Sequence, residues 1–272
     1  MKLFFYTLFL SSFMVFLIWG CKKNQVGTIS SNISDEVSSS QAMLKINYAS
    51  LYEDNRYVLI KLNGQRVSSL LRGRTPYPGG GLNTYGSNYP LFFAVEAGDV
   101  SVDITMPYTE DSAHNGADSA VLYSTAINLT AGNTYVLHIT DTSDNTNSVL
   151  TTENLNKADS GYNVYRFINL MPNVEAVDLY YGTSSSAVTG DTLLASNISY
   201  LSQSDYITLP IKSTRYWKIR PAGADVTSST VLAYYSSSSS YVNSRTFTIY
   251  ALGYNGITTA PRKPYVSFLY IQ

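Results

Sequence analysis

Cysteine occurs once in the 272 residues and histidine twice. With one cysteine no disulfide can close within the chain, so the folded part must hold together by core burial alone. No His-Glu-x-x-His or Cys-x-x-Cys spacing occurs, which removes the usual zinc ligand sets. A Gly-x-Ser-x-Gly elbow is also missing, and two histidines leave few bases for nucleophilic catalysis. Charge is scarce as well: charged residues make up 14% and the formal net charge is −1, against about 25% charged residues in an ordinary soluble domain. Such a chain has no long-range field to gather nucleic acid. Past residue 20, no stretch combines helical spacing with caps. What is abundant is Tyr, 24 residues, among many Ser, Thr, Asn, Val and Ile. A hydroxyl- and amide-rich chain of β-formers predicts all-β structure.

The longest apolar run is at the start. Residues 1–20 read MKLFFYTLFLSSFMVFLIWG, with Lys2 as a short positive lead. The run is close to the ~20 residues of a membrane span, so an uncleaved anchor helix is one reading. The other rests on Ile18-Trp19-Gly20-Cys21, which puts the sole cysteine at the end of the run. This resembles a bacterial lipoprotein signal, in which a small residue precedes a cysteine that is lipidated after cleavage. It implies a lipid on Cys21 and a membrane as partner, since several acyl chains on one residue hold a protein stably on a bilayer. Lys22-Lys23-Asn24 follow, with no Asp after the cysteine. By the same resemblance the address is the outer membrane, facing either the periplasm or the cell surface. Residues 21–42 have no aromatics and no sustained period, the composition of a flexible tether.

The remainder divides in two. In residues 43–157, Leu44, Ile46 and Tyr48 alternate with Lys45 and Asn47, and Val58, Ile60 and Leu62 alternate before the turn Asn63-Gly64. Further short runs follow at Phe92–Val95, Val100–Ile104, Ala120–Tyr123, Ala126–Leu129 and Tyr135–Ile139. Residues 158–272 repeat this order. Tyr165, Phe167 and Asn169 take the places of Leu44, Ile46 and Tyr48; Val177, Leu179 and Tyr181 those of Val58, Ile60 and Leu62. Tyr206–Leu209 matches Phe92–Val95, Arg220-Pro221 matches Met106-Pro107, and Phe247, Ile249 and Ala251 match Tyr135, Leu137 and Ile139. Tyr265–Ile271 reads as a closing strand. The fold expected is two tandem immunoglobulin-like β-sandwich domains, each of about the ~100 residues usual for such a unit.

The motifs Arg166-Phe167-Ile168-Asn169, Pro172, Ala176-Val177-Asp178-Leu179-Tyr180, Asp205–Pro210 and Arg220-Pro221-Ala222-Gly223 resemble the domain-of-unknown-function 4397 family. The likeness covers the second unit well and the first loosely, where Lys45 replaces Arg and Leu59 replaces Asp. It implies a tandem β-sandwich and an exported lipoprotein of the Bacteroidetes type, and it carries no catalytic residues to transfer.

Few side chains point to chemistry. His138 lies on the face opposite Tyr135, Leu137 and Ile139, and its counterpart is Tyr250, which predicts an ordinary solvent-facing strand residue. The acidic stretch Glu110–Asp118 does not have the spacing of a calcium loop and reads as a solvated turn. Asp103 with Glu110 or Asp111 could form a carboxylate pair for hydrolysis, with no spacing to support it. The loop 76–90, PYPGGGLNTYGSNYP, is the candidate binding segment. Tyr77, Tyr85 and Tyr89 on a Gly/Pro backbone suit stacking on a sugar or packing on a protein, set against an ordinary long loop whose tyrosines lie on the nearest sheet. The expected function is a non-enzymatic, lipid-anchored envelope protein acting as a binding or structural module. The alternative is a carbohydrate-binding accessory lipoprotein of a polysaccharide-uptake system. The expected partner besides the membrane is a glycan or another envelope protein; no nucleic acid, metal or cofactor is expected.

Overall fold

A computed structural model describes residues 38–51, 57–68, 71–72, 92–107, 118–141, 145–156, 158–186, 188–211, 216–236 and 244–272. Cys21, the tether to residue 37 and the loop tyrosines Tyr77, Tyr85 and Tyr89 lie outside these residues, as do Glu110 and Asp111. Among the described residues there are seventeen strands and no α-helix.

The first sandwich contains β1 (Gln41–Tyr48), β2 (Tyr57–Leu62), β3 (Gln65–Arg66), β4 (Leu71–Arg72), β5 (Phe93–Glu96), β6 (Gly98–Pro107), β7 (Asp118–Leu129), β8 (Thr134–Thr140) and β9 (Asn147–Glu153). One sheet runs β5-β1-β8-β9 and the other β3-β2-β6-β7, with β4 also on β2. The second sandwich contains β10 (Tyr162–Asn169), β11 (Ala176–Gly182), β12 (Thr192–Ser199), β13 (Ile207–Pro210), β14 (Tyr216–Pro221), β15 (Ala233–Ser236), β16 (Thr246–Leu252) and β17 (Tyr265–Tyr270). Its sheets run β13-β10-β16-β17 and β12-β11-β14-β15. The two orders correspond strand for strand, and in both the first strand lies parallel to the penultimate one.

The register agrees with the internal alignment. Leu44, Ile46 and Tyr48 face Tyr135, Leu137 and Ile139, while Tyr165, Phe167 and Asn169 face Phe247, Ile249 and Ala251. The alternation works as expected: Leu44, Ile46, Val58, Ile60, Val102 and Leu137 point into one core, and Phe167, Val177, Leu179, Ile249 and Phe268 into the other. Asn63 (φ 49) and Gly64 (φ 75) make the left-handed pair that a two-residue hairpin turn requires. The first core is mainly aliphatic. The second is built around Trp217, whose ring centre lies 4.8 Å from Tyr165 and 5.6 Å from Phe268.

Three features depart from the sequence reading. Ala120–Tyr123 and Ala126–Leu129 belong to one twelve-residue strand, β7, because a bulge beside Ile104 and Thr105 absorbs the break in alternation. That bulge also shifts the internal alignment. Thr105, rather than Met106, stands opposite Leu59 in the ladder as Arg220 stands opposite Asp178. Strands β9 and β12 have no counterpart in the sequence reading. In β12, register shifts against β11 and the left-handed Asn197 (φ 55) blur the period of two.

The sandwiches are joined through a third apolar cluster drawn from both. It includes Phe92 and Val136 from the first and Ile168, Tyr250, Leu252 and Leu269 from the second. These residues lie on the outer faces of the β1- and β10-containing sheets. Lys45 Nζ donates to the Tyr270 carbonyl at 2.5 Å and Thr140 Oγ1 to the Leu170 carbonyl at 2.9 Å. Tyr200 and Tyr254 donate to the two carboxylate oxygens of Asp141 at 2.9 and 2.5 Å. A face that single-sandwich reasoning assigns to water is therefore a second core.

Candidate functional site

The junction also explains His138. Its strand alternation does put it opposite Leu137 and Ile139, but the ring is fully buried rather than solvent-facing, because the second sandwich covers that face. Asn47 Nδ2 lies 2.9 Å from His138 Nδ1, and Thr151 Oγ1 lies 3.5 Å from Nε2. The order hydroxyl, imidazole, amide resembles a nucleophile with its base and orienting group. The hydrogen bonding says otherwise. With the Asn47 amide donating to Nδ1, the ring proton sits on Nε2 and faces Thr151, so the imidazole cannot take the Thr151 proton. Thr151 instead donates to Glu153 Oε1 at 2.7 Å. Lys45, the neighbour of this group on β1, is 1% exposed. Burial pushes its ammonium down to about 7, with the negative charge of Glu153 opposing.

Where β9 ends and the chain crosses to β10, a cleft of about 270 Å³ opens, lined by Asn154, Asn156, Ala158, Asp159, Val164, Tyr206 and Thr208. Two pieces of backbone shape it. The crossover supplies Asn154, Asn156, Ala158 and Asp159, with the Asn156 N–H donating to Asn154 Oδ1 at 2.9 Å. The antiparallel pair β10–β13 supplies Val164 and Thr208, which face each other in register.

Tyr206 forms one wall. Its hydroxyl accepts from Asn154 N at 2.8 Å and from Arg166 Nη1 at 3.3 Å, and donates to Glu153 Oε2 at 3.1 Å. The Arg166 guanidinium lies 4.5 Å over its ring and 3.6 Å from Glu153 Oε2. Burial and the Glu153 charge push the Tyr206 phenol up, against the Asn154 N–H that favours the ionised form. A neutral phenol with all three hydrogen-bonding positions used is a structural wall with an aromatic face. Arg166 also donates to the Thr152 carbonyl at 2.7 Å, so its position is fixed by both sandwiches. The cleft thus offers amides, a hydroxyl and the Asp159 carboxylate around an aromatic ring.

A second polar group lies on the outer face of the β11–β14 sheet. Asp191 accepts from Lys218 Nζ at 2.7 and 3.0 Å and from Arg220 Nη2 at 2.7 Å, with Lys218 and Arg220 side chains fully buried. Arg220 lies 4.6 Å over the Tyr180 ring. Its Nε and Nη1 are buried and have no acceptor among the described residues. Asp178 closes the sheet end by accepting from Asn197 N at 2.7 Å and Gly223 N at 3.0 Å.

Asp103, the carboxylate weighed for hydrolysis, accepts from Ser124 Oγ at 2.6 Å on an exposed sheet face. Among the described residues, no three His, Cys, Asp or Glu side chains converge as a metal ion requires. The cleft has no signature along the chain, because Asn154 and Asp159 fall at the boundary between the two expected units and nothing there signals that two sheets meet. Arg166 was visible as a change of cation at the Lys45 position, and that was the one available signal.

No family model matches the chain and no curated protein matches it. Among solved structures, the chain is similar to family 41 carbohydrate-binding modules from streptococcal virulence factors, described for alpha-glucan recognition. The identity is 10% and the TM-score 0.26, over 84% of this chain and 97% of that one. A second structure, on alpha-glucan binding by a streptococcal virulence factor, gives 11% and 0.26 over the same shares. A leucine-rich repeat protein from Bacteroides thetaiotaomicron gives 15% identity and 0.17, over 73% of this chain and 24% of that one. At these scores none of the three carries an argument about what this chain binds.

Proposed function

We propose that the chain is a non-enzymatic envelope protein, carried on the outer membrane by a lipid on Cys21, whose paired sandwiches hold a binding cleft at their junction. The observation that carries the binding reading is the 270 Å³ cleft at the crossover between sandwiches, walled by Tyr206 and fixed by the Arg166–Glu153 pair. A site whose walls come from two packed bodies is pre-organised, so little ordering cost opposes binding. The ligand class it suits is a glycan: amide, hydroxyl and carboxylate groups around an aromatic face match a ligand of hydroxyls on an apolar ring. This is the carbohydrate-binding reading moved from the loop 76–90 to the junction.

The test is a glycan array with the full chain, repeated with Thr208→Arg, which fills the cleft from an exposed strand position. Binding that falls at least tenfold in the variant, with unfolding unchanged, supports the assignment. An array without hits, or hits indifferent to Thr208→Arg, removes it. The anchor rests on Ile18-Trp19-Gly20-Cys21. Cys21→Ser should move the protein out of the membrane fraction. Retention there without a lipid would make residues 1–20 an uncleaved anchor.

A further inference from the structure

Among the described residues the outer edge of β7 is open. It is the last strand of its sheet, and among the described residues no strand pairs with its far side. Its counterpart β15 runs only from Ala233 to Ser236, and Tyr235 packs its ring 5.2 Å from Phe268 of β17, which closes that side of the second sandwich. Strand β7 has twelve residues. From Ser119 to Leu129 it carries no charge and no proline. Long open edges are ordinarily protected by lysine, proline or inward charge, because their unpaired amides template pairing with another chain. Here those protections are missing.

The direction of each amide follows from the neighbouring ladder. Ser101 uses its carbonyl and its N–H toward Asn63 on the β2 side. It therefore cannot bond Ala126, its partner on β7. By the alternation of antiparallel pairs, Ser124, Ala126 and Asn128 turn their N–H and C=O groups outward, while Tyr123, Thr125 and Ile127 bond β6. The side chains of Ser124, Ala126 and Asn128 are exposed and neutral, and Ser124 and Asn128 are bonded back to Asp103 and Asp99.

We infer that β7 is a self-association edge: two copies of the chain pair antiparallel through it, about a two-fold axis at Ala126. The occupant is a second copy because the edge is complementary to itself. With Ala126 on the axis, Ser124 faces Asn128 of the other copy, and Thr125 faces Ile127. Small side chains meet small ones, polar meets polar, and no like charges are brought together along the strand. Such a contact is isologous and closes at two, so it does not propagate into fibres. It joins the two β3-β2-β6-β7 sheets, each with β4 on β2, into one ten-stranded sheet and leaves the junction cleft on β10 and β13 open.

The register makes the test specific. Across the axis the two Ala126 residues form a hydrogen-bonded pair with Cα atoms about 5.5 Å apart, inside disulfide reach. Val121 is 61% exposed on the same strand, but its two copies would lie roughly 33 Å apart along the ladder. In membranes carrying the full chain, mild oxidation should crosslink Ala126→Cys to a doubled mass well above wild type, and leave Val121→Cys at the wild-type level. Ala126→Pro removes an outward N–H without touching the β6 ladder, so the fold tolerates it. In detergent, light scattering should give two copies for wild type and one for Ala126→Pro, with the same circular dichroism and unfolding midpoint. If Ala126→Cys stays uncrosslinked, if Val121→Cys crosslinks equally, or if Ala126→Pro keeps the doubled mass, the edge is not a self-association site.

Discussion

The two sandwiches share strand order and register but treat one face in opposite ways. In the ladder, Asp103 stands opposite Lys61 where Lys218 stands opposite Tyr180, and Thr105 opposite Leu59 where Arg220 stands opposite Asp178. In the first sandwich the Asp103 side of this face is wet, where Asp103 and Asp99 accept from exposed Ser124 and Asn128, while Leu59 and Thr105 are buried. In the second, Lys218 and Arg220 are buried beneath Asp191. The inward positions keep one pattern because both cores need it. The outward positions are free to differ, and each difference records what came to cover that face.

The largest effect expected from breaking this contrast is at Asp191. Its removal takes the Asp191 carboxylate away from two buried cations, and breaking a buried pair costs about 3–5 kcal/mol. Asp191→Ala should therefore lower the denaturant midpoint sharply, and loss of less than about 1 kcal/mol would mean that water reaches Lys218 and Arg220. Gly182→Ala approaches the same group from below. A Cβ there would overlap an Asp191 carboxylate oxygen, so the pair must shift to admit it. We expect about 1–3 kcal/mol of destabilisation in the same assay, as for overpacking elsewhere.

The next contrast is between two cations at one position. Lys45 and Arg166 correspond, and both face the junction. Lys45 is held at about 7 by burial, whereas Arg166 lies over the Tyr206 ring and beside Glu153. A lowered lysine means that, between about pH 7 and its unfolded value near 10.4, the unfolded chain holds the proton and the folded chain does not. Stability then rises with pH across that window, by at most about 1.4 kcal/mol per unit, and is flat below it. Above about pH 10 the raised phenols of Tyr206 and Tyr200 act in the opposite sense, since the unfolded chain loses those protons first. The expected profile is a rise from pH 7 and a fall beyond 10. Lys45→Met should abolish the rise and keep the fall. A rise that survives in Lys45→Met would assign it to another group.

Much of this architecture is legible along the chain. Alternation around Leu44, Phe167 and Leu137 gives the inward faces, and five matched blocks give the repeat. What is not legible is whatever depends on a second sheet arriving from outside. His138 reads as solvent-facing because period-two alternation distinguishes two faces but cannot say that both are buried. Lys45, alternating outward beside Leu44 and Ile46, is concealed for the same reason. The bulge that puts Thr105 in the place of Arg220 is invisible because one extra residue leaves the apolar pattern nearly intact. The cleft is illegible because Asn154, Asp159 and Thr208 come from a linker and a distant strand, and no local period joins them.

A smaller effect should separate the junction from the rest. The Tyr206 hydroxyl bridges Asn154 N and Glu153 Oε2 across the crossover. Tyr206→Phe leaves a carboxylate, an amide and the Arg166 guanidinium short of one partner each, which costs about 1–3 kcal/mol when the groups are buried and less here, where Asn154 is exposed. The ring remains, so the cleft keeps its wall. The variant should unfold slightly earlier while ligand binding at the cleft is largely preserved, and a loss of binding equal to that of Thr208→Arg would mean that the hydroxyl itself contacts ligand.

The smallest effect belongs to Asp103. It occupies the ladder position of Lys218, yet its carboxylate lies on an exposed face and, among the described residues, accepts from the Ser124 hydroxyl at 2.6 Å. Exposed hydrogen bonds of this kind exchange freely with water, so Asp103→Ala should change stability by no more than about 0.5 kcal/mol. The same substitution in the place of its counterpart's partner, Asp191, is expected to cost several times more. The ratio of the two midpoints measures burial of the face directly, because both changes delete one carboxylate beside the corresponding strand. If the two variants lose equal stability, the buried cations of the second sandwich are hydrated, and the difference between the sandwiches reduces to their cores.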